Sequence, residues 1–288
     1  MSSVAGQGDA RAAGAITAGP FASATRVRPL GDGTFTAELP ATWTVRGRPH
    51  GGFLIALLAR TAVAAHSVVS GGPGAALVDP LAISVQFLNP PSVGPVLLRT
   101  ELRKSGRQAT VTSVHLEQRG QSCVEGVVTT GRLPRDRAAW SDLPNLAAEP
   151  PGNAVDVATL PLASIFKFTS ACDVRLDPNG AGFLHSHIGD PLRLRLWVRP
   201  RAEPVDPLFC LVAGDINMPL TYNLGRFGWT PTVQMTSLIR SRPAPGWLRV
   251  LVESKAVHGA WFDSDAVVLD STGRLVCQSR QLALAALS

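Results

Sequence analysis

Alternating apolar and polar residues mark a series of short strands along the chain, and one continuous apolar run marks a helix. Residues 33–40 (GTFTAELP) alternate with a period of two, as a strand with one buried face does. Residues 51–65 (GGFLIALLARTAVAA) are apolar for about four turns and predict a buried helix that opens on two glycines. Four further strand patterns follow, at 80–91, 96–107, 110–120 and 122–133. The predicted order is a strand, a long helix and four antiparallel strands.

The apolar run raises the question of a membrane span. Its apolar part covers residues 51–65 and includes Arg60, whereas a span needs roughly 20 residues with few charges. We therefore expect a helix in a soluble core and no membrane span. Residues 1–25 are rich in Ala, Gly and Ser and lack a basic segment followed by an apolar one, so they predict a flexible tail in a cytoplasmic protein rather than a signal peptide.

The second half of the chain repeats the order of the first. Residues 192–200 alternate as a strand and 208–225 form a second helix region, and strand patterns follow at 232–243, 246–256, 260–270 and 274–286. The similarity extends to single residues, because Gly246 follows Gly94 by 152 positions and Glu253 follows Glu101 by the same interval. A duplicated fold is the simplest explanation.

This repeat predicts two tandem domains of the α+β class. Residues 134–165, rich in Pro, Asp and Asn, have linker composition. The expected organisation is a tail at 1–25, one unit at 26–133, a linker at 134–165 and a second unit at 166–288. Each unit has one long helix that its antiparallel sheet should wrap, and the two sheets could pair into one.

Charge and reactive residues narrow the chemistry. The net charge of +6 suits a polyanionic ligand such as a nucleotide or coenzyme A, but the basic residues are scattered and no nucleic-acid motif accompanies them. Four widely spaced cysteines, and His185 and His187 without a third ligand, predict neither a metal site nor a disulfide framework. The chain has no GxSxG elbow and no GxGxxG fingerprint, so we expect neither a serine hydrolase of that type nor a dinucleotide cofactor. No cofactor is predicted.

Three segments together resemble a known family. They are RPHGGFLIALLARTA (48–62), GDINMPL (214–220) and GRLVCQSRQLAL (273–284). From about residue 30 to residue 288 the sequence resembles the double hot-dog acyl-CoA thioesterases, the thioesterase II-like group. The resemblance implies a double hot-dog fold, hydrolysis of a fatty acyl-CoA to free acid and CoA, and a homodimer or larger homo-oligomer.

The resemblance also implies three catalytic residues. In that family an Asp at the start of the second helix, a Thr on the next strand and a Gln on the last strand hold the attacking water. Their counterparts here are Asp215, Thr232 and Gln281, with Thr236 as the alternative threonine. The family has Thr, an aliphatic residue, Asp and His where this chain has TVQM (232–235), so the details of water activation differ.

Substrate contacts can be predicted from the needs of thioester hydrolysis. The oxyanion that forms needs N–H donors, and the first turn of a helix exposes several. We expect His50, Gly51 and Gly52 to occupy one helix start, and Gly214 with Asp215 the equivalent start in the second half. His50 is expected as a cap or cavity-rim residue. For the CoA phosphates the candidates are Arg103 and Arg107, then Lys104, Arg240 and Arg242.

Two alternative functions remain open at this point. The first is a non-catalytic acyl-CoA or acyl-chain binding protein on the same fold, which the altered TVQM segment favours. The second is an enoyl-CoA hydratase-like enzyme, because GDINMPL is similar to the hydratase-type hot-dog motif. That enzyme needs an Asp–His pair acting on one water, and the position expected to hold His is Thr221.

Overall fold

The structure of the protein, a computed structural model, describes residues 19–69, 78–134 and 136–286. Within these ranges the α-helices are α1 (Pro20–Ala24), α2 (Gly51–Val69) and α3 (Pro207–Ala213). The strands of the first half are β1 (Arg28–Gly31), β2 (Thr34–Leu39), β3 (Thr44–Val45), β4 (Arg48–Pro49), β5 (Asp79–Phe87), β6 (Gly94–Lys104), β7 (Ala109–Gln118) and β8 (Gln121–Gly131). Those of the second half are β9 (Val155–Asp156), β10 (Cys172–Leu176), β11 (Arg193–Pro200), β12 (Thr232–Ile239), β13 (Leu248–Glu253), β14 (Val257–His258), β15 (Trp261–Leu269) and β16 (Leu275–Leu284). Short 3-10 helices cover Ala41–Trp43, Val157–Thr159, Pro161–Ile165, Lys167–Ser170, Gly182–His185 and Leu220–Leu224.

One 14-stranded antiparallel sheet joins the two halves. Its order is β1-β2-β6-β7-β8-β5-β12-β16-β15-β13-β11-β10-β9, with β14 paired to β15. The order is symmetric about the β5–β12 pair, where Ser84 lies opposite Thr236 and their hydroxyls are 3.0 Å apart. These two residues are also 152 positions apart in the chain, the interval of the sequence repeat. A pseudo-two-fold axis therefore runs through this pair and relates the halves, as the predicted duplication requires.

Helix α2 lies inside the curve of the sheet. Every side chain from Phe53 to Ala59 is at most 2% exposed, because β5, β7 and β8 surround this part of the helix and α3 packs beside it. The charge of Arg60 is accommodated at the contact with the second half, where its Nε donates to Thr25 Oγ1 at 2.8 Å and its Nη2 is 3.8 Å from Asp206 Oδ2. The buried half of the helix is thus apolar and its one charge is paired.

The length of α2 differs from the expectation. It has 19 residues rather than 15, and within the described ranges it is the one helix long and apolar enough to cross a membrane by length and composition. Of its 18-residue window Gly51–Val68, 56% is buried inside the protein. The central helix of a soluble core meets the same criteria, and the surrounding sheet accounts for its apolar character.

The boundary expected for the N-terminal tail needs correction. Residues 1–18 of the predicted tail lie outside the described residues, but α1 follows them directly and belongs to the core. Phe21 is 1% exposed and meets Trp43 and Phe209 edge to face at 5.4 and 5.3 Å, while Trp43 stacks on Phe53 at 5.5 Å. This aromatic cluster fixes α1 against α2 and α3.

The linker and the second helix also differ from their predictions. Residues 155–165 of the predicted linker belong to the second half, because β9 pairs with β10, a strand absent from the sequence prediction. The expected helix region 208–225 is interrupted, since α3 ends at Ala213 and a 3-10 helix starts only at Leu220. Gly214 and Pro219 flank the irregular segment between them, and neither favours continuation of a helix.

Candidate active site

A cavity of about 430 Å³ opens where the first turn of α2 meets the last turn of α3. The two helices contact each other, so residues that follow α3 reach the N-terminal end of α2. Its wall is mainly apolar, and the polar groups concentrate at the helix junction. The apolar and aromatic side chains of the wall include Leu54, Phe87, Phe166, Phe168, Tyr222 and Val233. A largely apolar cavity with a few convergent polar groups is the usual form of a small-molecule site.

Asp215 is the carboxylate at this junction, but its local position is not the predicted one. It follows Gly214, the C-cap of α3, and its N–H donates to Val212 O at 3.0 Å, so it lies at the end of the second helix and not at its start. Asp215 and Gly52 are therefore not equivalent positions of the two halves. They face each other across the junction, which brings a carboxylate to the positive end of α2.

Three side chains and one backbone group form a continuous hydrogen-bonded chain. Thr232 Oγ1 donates to Gln281 Oε1 at 2.5 Å, and Gln281 Nε2 donates to Asp215 Oδ1 at 3.3 Å. The other carboxylate oxygen, Oδ2, accepts from Gly52 N–H at 2.6 Å. The structure thus brings together all three residues predicted to hold a water, and it adds the helix start of the first half to them.

A β-bulge decides which threonine joins this chain. On β12, Met235, Ser237 and Ile239 face the interior, so simple alternation would place Thr232 on the outer face with Thr236. The pairing with β16 shifts between Thr232 and Gln234, which turns Thr232 to the same side as Met235 and Gln281. Thr236 remains outside, bonded to Ser84. Geometry therefore favours Thr232 over its alternative.

His50 caps α2. Its Nδ1 accepts from Phe53 N–H at 3.3 Å, and its Nε2 lies 3.0 Å from Asp215 O, which can only accept. Both contacts are satisfied by the neutral ring with its proton on Nε2. The ring also lies near the carboxylate, with Nε2 3.7 Å from Asp215 Oδ2. Since both ring nitrogens are occupied, His50 has none free for a water, and it does not supply the histidine of a hydratase pair.

The environment of Asp215 makes its carboxyl more basic than usual. Burial raises the pKa of Asp215 above its ordinary value, and the hydrogen bonds from Gly52 N–H and the Gln281 amide offset only part of that effect. About a tenth of the side chain stays exposed, at the cavity. A buried carboxylate with a raised pKa is suited to accept a proton from a water near neutral pH.

The glycine pair that opens α2 makes this approach possible. A Cβ on Gly51 would lie 2.7 Å from Asp215 Oδ2, and a Cβ on Gly52 would lie 3.0 Å from both Val212 Cα and Asp215 Cβ. Glycine is unfavourable in a helix by about 1 kcal/mol relative to alanine. Its presence at both positions is explained by the close contact between the two helix ends.

Comparison with known proteins agrees with this geometry. The acyl-CoA thioesterase N-terminal domain model matches residues 39–131, and the acyl-CoA thioesterase C-terminal domain model matches residues 141–285. The chain belongs to the acyl-CoA thioesterase family. It is a thioester hydrolase, and the expected double hot-dog fold of the α+β class is confirmed.

The relatives of this thioesterase include proteins of known structure and proteins without an assigned activity. An uncharacterised protein of Mycobacterium tuberculosis strain H37Rv is 36% identical, covering 92% of this chain and 97% of the relative. A crystal structure of a candidate thioesterase II from Thermobifida fusca has a TM-score of 0.82 at 28% identity, covering 94% and 99% of the two chains. A hot-dog protein of unknown function from Alicyclobacillus acidocaldarius has a TM-score of 0.78 at 20% identity, covering 93% and 98%, and supports the fold alone.

Some predicted substrate contacts of the thioesterase lie elsewhere. Gly214 is buried against β16, where Ser279 Oγ donates to its carbonyl oxygen at 2.6 Å, and it does not line the cavity. Arg103 bonds to Ser113 and pairs with Glu101 on the first-half sheet. Arg107 borders a separate depression beside His66, which is 15 residues and so roughly 22 Å along α2 from Gly51. None of these three residues lines the cavity, and their contacts with the substrate stay predictions.

Other reactive residues stay apart from the cavity. Across the described part of the chain there is no group of three or more His, Cys, Asp or Glu side chains that could hold a metal ion. His185 is the last residue of a 3-10 helix and His187 lies in the loop after it; both are exposed, and His187 Nε2 lies 3.5 Å from Asp190 Oδ1. The four cysteines are buried as free thiols, and Thr221, at the position expected to hold a hydratase histidine, is fully buried and outside the cavity wall.

Two cationic residues of the cavity wall were not predicted from the sequence. Arg46 and Arg48 line the cavity, four and two residues before His50. The signal that could have identified them is their proximity in sequence to the glycine pair. The arginines predicted instead, Arg103 and Arg107, lie at the end of β6 and in the loop after it.

Proposed function

We propose that the protein hydrolyses a fatty acyl-CoA to the free acid and CoA with a water that Asp215, Thr232 and Gln281 hold. The observation that supports the proposal is the unbroken chain of hydrogen bonds from Thr232 through Gln281 to Asp215 and Gly52 at the polar end of an apolar cavity. Acyl chains are apolar and the thioester is polar, so the two ends of the cavity match the two parts of the substrate.

The hydrogen bonds define how a water would be oriented. Thr232 gives its proton to Gln281, so the lone pairs of its hydroxyl oxygen are available to accept. Asp215 Oδ1 accepts one weak bond, from Gln281, and has a lone pair left. A water that donates one hydrogen to each of these oxygens directs its own lone pair away from them. It is then poised to attack a carbonyl carbon on the cavity side.

The chemical step needs a proton acceptor and an oxyanion donor. As the water oxygen bonds to the carbonyl carbon, its proton passes to Asp215, whose raised pKa favours the transfer. The oxyanion would be stabilised at the start of α2, where Gly51 contributes the first N–H that a helix leaves without an internal acceptor. When the carbon–sulfur bond breaks, the proton held by Asp215 returns to the CoA sulfur and regenerates the carboxylate.

The acyl chain would occupy the apolar part of the cavity. Leu54 from α2 and Phe87 from β5 represent the first half there, while Phe166, Phe168 and Tyr222 represent the second. The substrate therefore contacts both halves of the duplicated chain. Burial of its methylene groups would contribute about 0.8 kcal/mol each, so affinity should rise with chain length until the cavity is filled.

A thiol-release assay with acyl-CoAs of several lengths tests the proposal. We expect turnover that reaches a maximum at one range of chain length. Tight binding of acyl-CoA without turnover above background would instead support the alternative of a binding protein. The hydratase alternative is tested by adding an enoyl-CoA and monitoring hydration as a loss of absorbance of the conjugated thioester. We expect none, because both nitrogens of His50 are engaged.

A homodimer or larger homo-oligomer is also part of the proposal. Large apolar side chains lie partly exposed on the outer face of three central strands, namely Val127 on β8, Leu238 on β12 and Leu282 on β16. Apolar groups close together on one face of a sheet favour association with another sheet. Light scattering of the purified protein should give a mass of at least twice that of one chain, and a monomeric mass would contradict this part.

A further inference from the structure

We propose that Arg46 and Arg48 form the binding site for the phosphates of the nucleotide end of CoA. This inference rests on the proposed function, since it assigns the part of the substrate that the acyl cavity does not hold. Coenzyme A carries a diphosphate and a 3′-phosphate, which guanidinium groups bind through charge-assisted hydrogen bonds.

The two arginines lie on a hairpin that adjoins the reaction site. Strands β3 and β4 are joined by Arg46 and Gly47, and β4 leads directly into His50 and the start of α2. Both residues contribute to the wall of the cavity that contains Asp215. Arg46 precedes Gly51 by five residues, which limits their separation to roughly 17 Å along the chain. The cations are therefore held within reach of the thioester position.

The hairpin is fixed to the second half. Arg46 N–H donates to Ile165 O at 2.8 Å, and Val45 forms a β-bridge with Phe166. His50 N–H closes the other side by donating to Trp43 O at 2.9 Å. A phosphate site on this hairpin would thus be positioned before substrate binds, which reduces the entropy lost on binding.

Neither guanidinium is neutralised by another residue of the described part of the chain. In the ranges that the structure describes, no ion pair and no side-chain hydrogen bond involves Arg46 or Arg48, although most arginines of the second-half sheet pair with carboxylates. Asp215 is the one carboxylate among the described residues of the cavity wall, and it is bound to Gly52 and Gln281. The cavity entrance is therefore cationic and matches a polyanion.

Arg46 and Gly47 form the turn of this hairpin. Their φ angles are 49° and 76°, so both residues of the turn have positive φ. Turns of this kind favour Asn or Asp before Gly. The same kind of turn joins β7 to β8, where Arg119 and Gly120 have φ angles of 54° and 78°. Asn is therefore the replacement for Arg46 that best preserves the hairpin.

The test compares an acyl-CoA with the same acyl chain on N-acetylcysteamine, a thioester without the nucleotide. The variants are Arg46→Asn, which suits the positive φ, Arg48→Gln, and both together. The control is Arg132→Gln, an exposed arginine next to Gly131 at the far end of β8. For each protein we measure the ratio of kcat/KM for the acyl-CoA to kcat/KM for the truncated thioester.

We expect the double variant to lower this ratio about 10- to 100-fold, mainly through KM, because each charged hydrogen bond to phosphate is worth about a tenfold change or more. Arg132→Gln should leave the ratio unchanged. In the wild type, salt should weaken the reaction of acyl-CoA more than that of the truncated thioester. A ratio in the double variant equal to that of the wild type would overturn the inference. If the wild type hydrolyses neither thioester, the proposed function itself fails, which is a different outcome.

Discussion

Replacing Asp215 by asparagine should separate the catalytic role of this residue from its structural one. Asparagine keeps the shape and can still accept from Gly52 N–H, but it cannot take a proton from water. Loss of a positioned base lowers the rate about 100- to 10,000-fold. A 100-fold loss corresponds to about 2.7 kcal/mol of transition-state stabilisation. We expect kcat in the thiol-release assay to fall by at least that factor, with a much smaller change in KM.

The same substitution should not destabilise the fold at neutral pH. Burial raises the pKa of Asp215, so the folded state disfavours the ionised carboxylate relative to the unfolded state. A group of this kind contributes stability that is present below its unfolded pKa and is lost as the pH rises through the folded pKa. Each tenfold change in proton affinity is worth about 1.4 kcal/mol. At pH 7 the Asn variant should therefore be as stable as the wild type or more so.

The direction in which the pKa of Asp215 is shifted can also be read from how the stability difference between wild type and variant changes with pH. As the pH falls from 7 toward 4, the wild type should gain free energy of unfolding relative to the Asp215→Asn variant. Asp270 provides a matched control of opposite sign. It is also buried, but bonds from Thr272, Ala244 and Arg274 outweigh burial and lower its pKa. The stability that Asp270 contributes is present at neutral pH and is lost as the pH falls through its folded pKa. Asp270→Asn should therefore lower the free energy of unfolding at pH 7.

Chemical denaturation at several pH values tests the effect of burial on the stability of the protein. Measurement of kcat tests the role of Asp215 as the base. If Asp215→Asn retains more than a tenth of wild-type kcat, Asp215 is not the base. If the variant is clearly less stable than the wild type at pH 7, or if the wild type loses stability relative to it on acidification, burial does not raise the pKa of Asp215. The pH profile of kcat/KM adds a further check. Its acid limb should lie above the usual range of an aspartate, because the pKa of Asp215 is raised.

Three further changes, the first with a matched control, probe the rest of the site and the core. Thr232→Val should lower kcat about tenfold or more through loss of the hydroxyl, whereas Thr236→Val, on the outer face, should change it less than about twofold. Gly52→Ala places a methyl group 3.0 Å from Val212 Cα, so it should lower kcat and reduce the free energy of unfolding by about 1–3 kcal/mol. Phe21→Ala should reduce that free energy by about 3–5 kcal/mol in a denaturation titration while retaining the active-site geometry. A Phe21→Ala variant as stable as the wild type would contradict the role of α1 in the core.

The regular part of the fold could be predicted because alternation is a local signal. Strands β5 to β8 and β12 to β16, apart from the two-residue β14, begin and end within a few residues of their predicted limits. Strand β10 carries the same alternation in CDVRL, but it is only five residues long and lies next to a segment of linker composition. The end of α3 was also signalled, by Gly214 and Pro219. The predicted helix ran through both because the apolar content continues beyond them.

The sequence motifs identify the site residues more readily than they predict their positions in the fold. The motif identified Asp215, but whether it starts or ends a helix depends on where the chain breaks. The side of β12 that Thr232 faces depends on a bulge, and the bulge is set by the pairing with β16. Sequence alternation alone gives the wrong face. Arg46 and Arg48 were missed because their role depends on a cavity to which both halves contribute.

The duplication also explains why the catalytic set occupies only one of two related places. Met235 lies opposite Gln281, and its counterpart 152 residues earlier, Ile83, lies opposite Val128. By the same interval Thr232 corresponds to Pro80. Proline and valine offer no side-chain hydrogen bond, so the related place cannot hold a water in the same way.

The surviving site needs both halves for a physical reason. The carboxylate, amide and hydroxyl come from the second half, but an anion at the end of α3 faces the negative end of that helix. The first half supplies what α3 cannot, the N–H of Gly52 and the positive end of α2. The glycines of α2 allow that end to approach closely. Association of two repeats in one chain thus creates the reactive carboxylate, which neither helix end would provide alone.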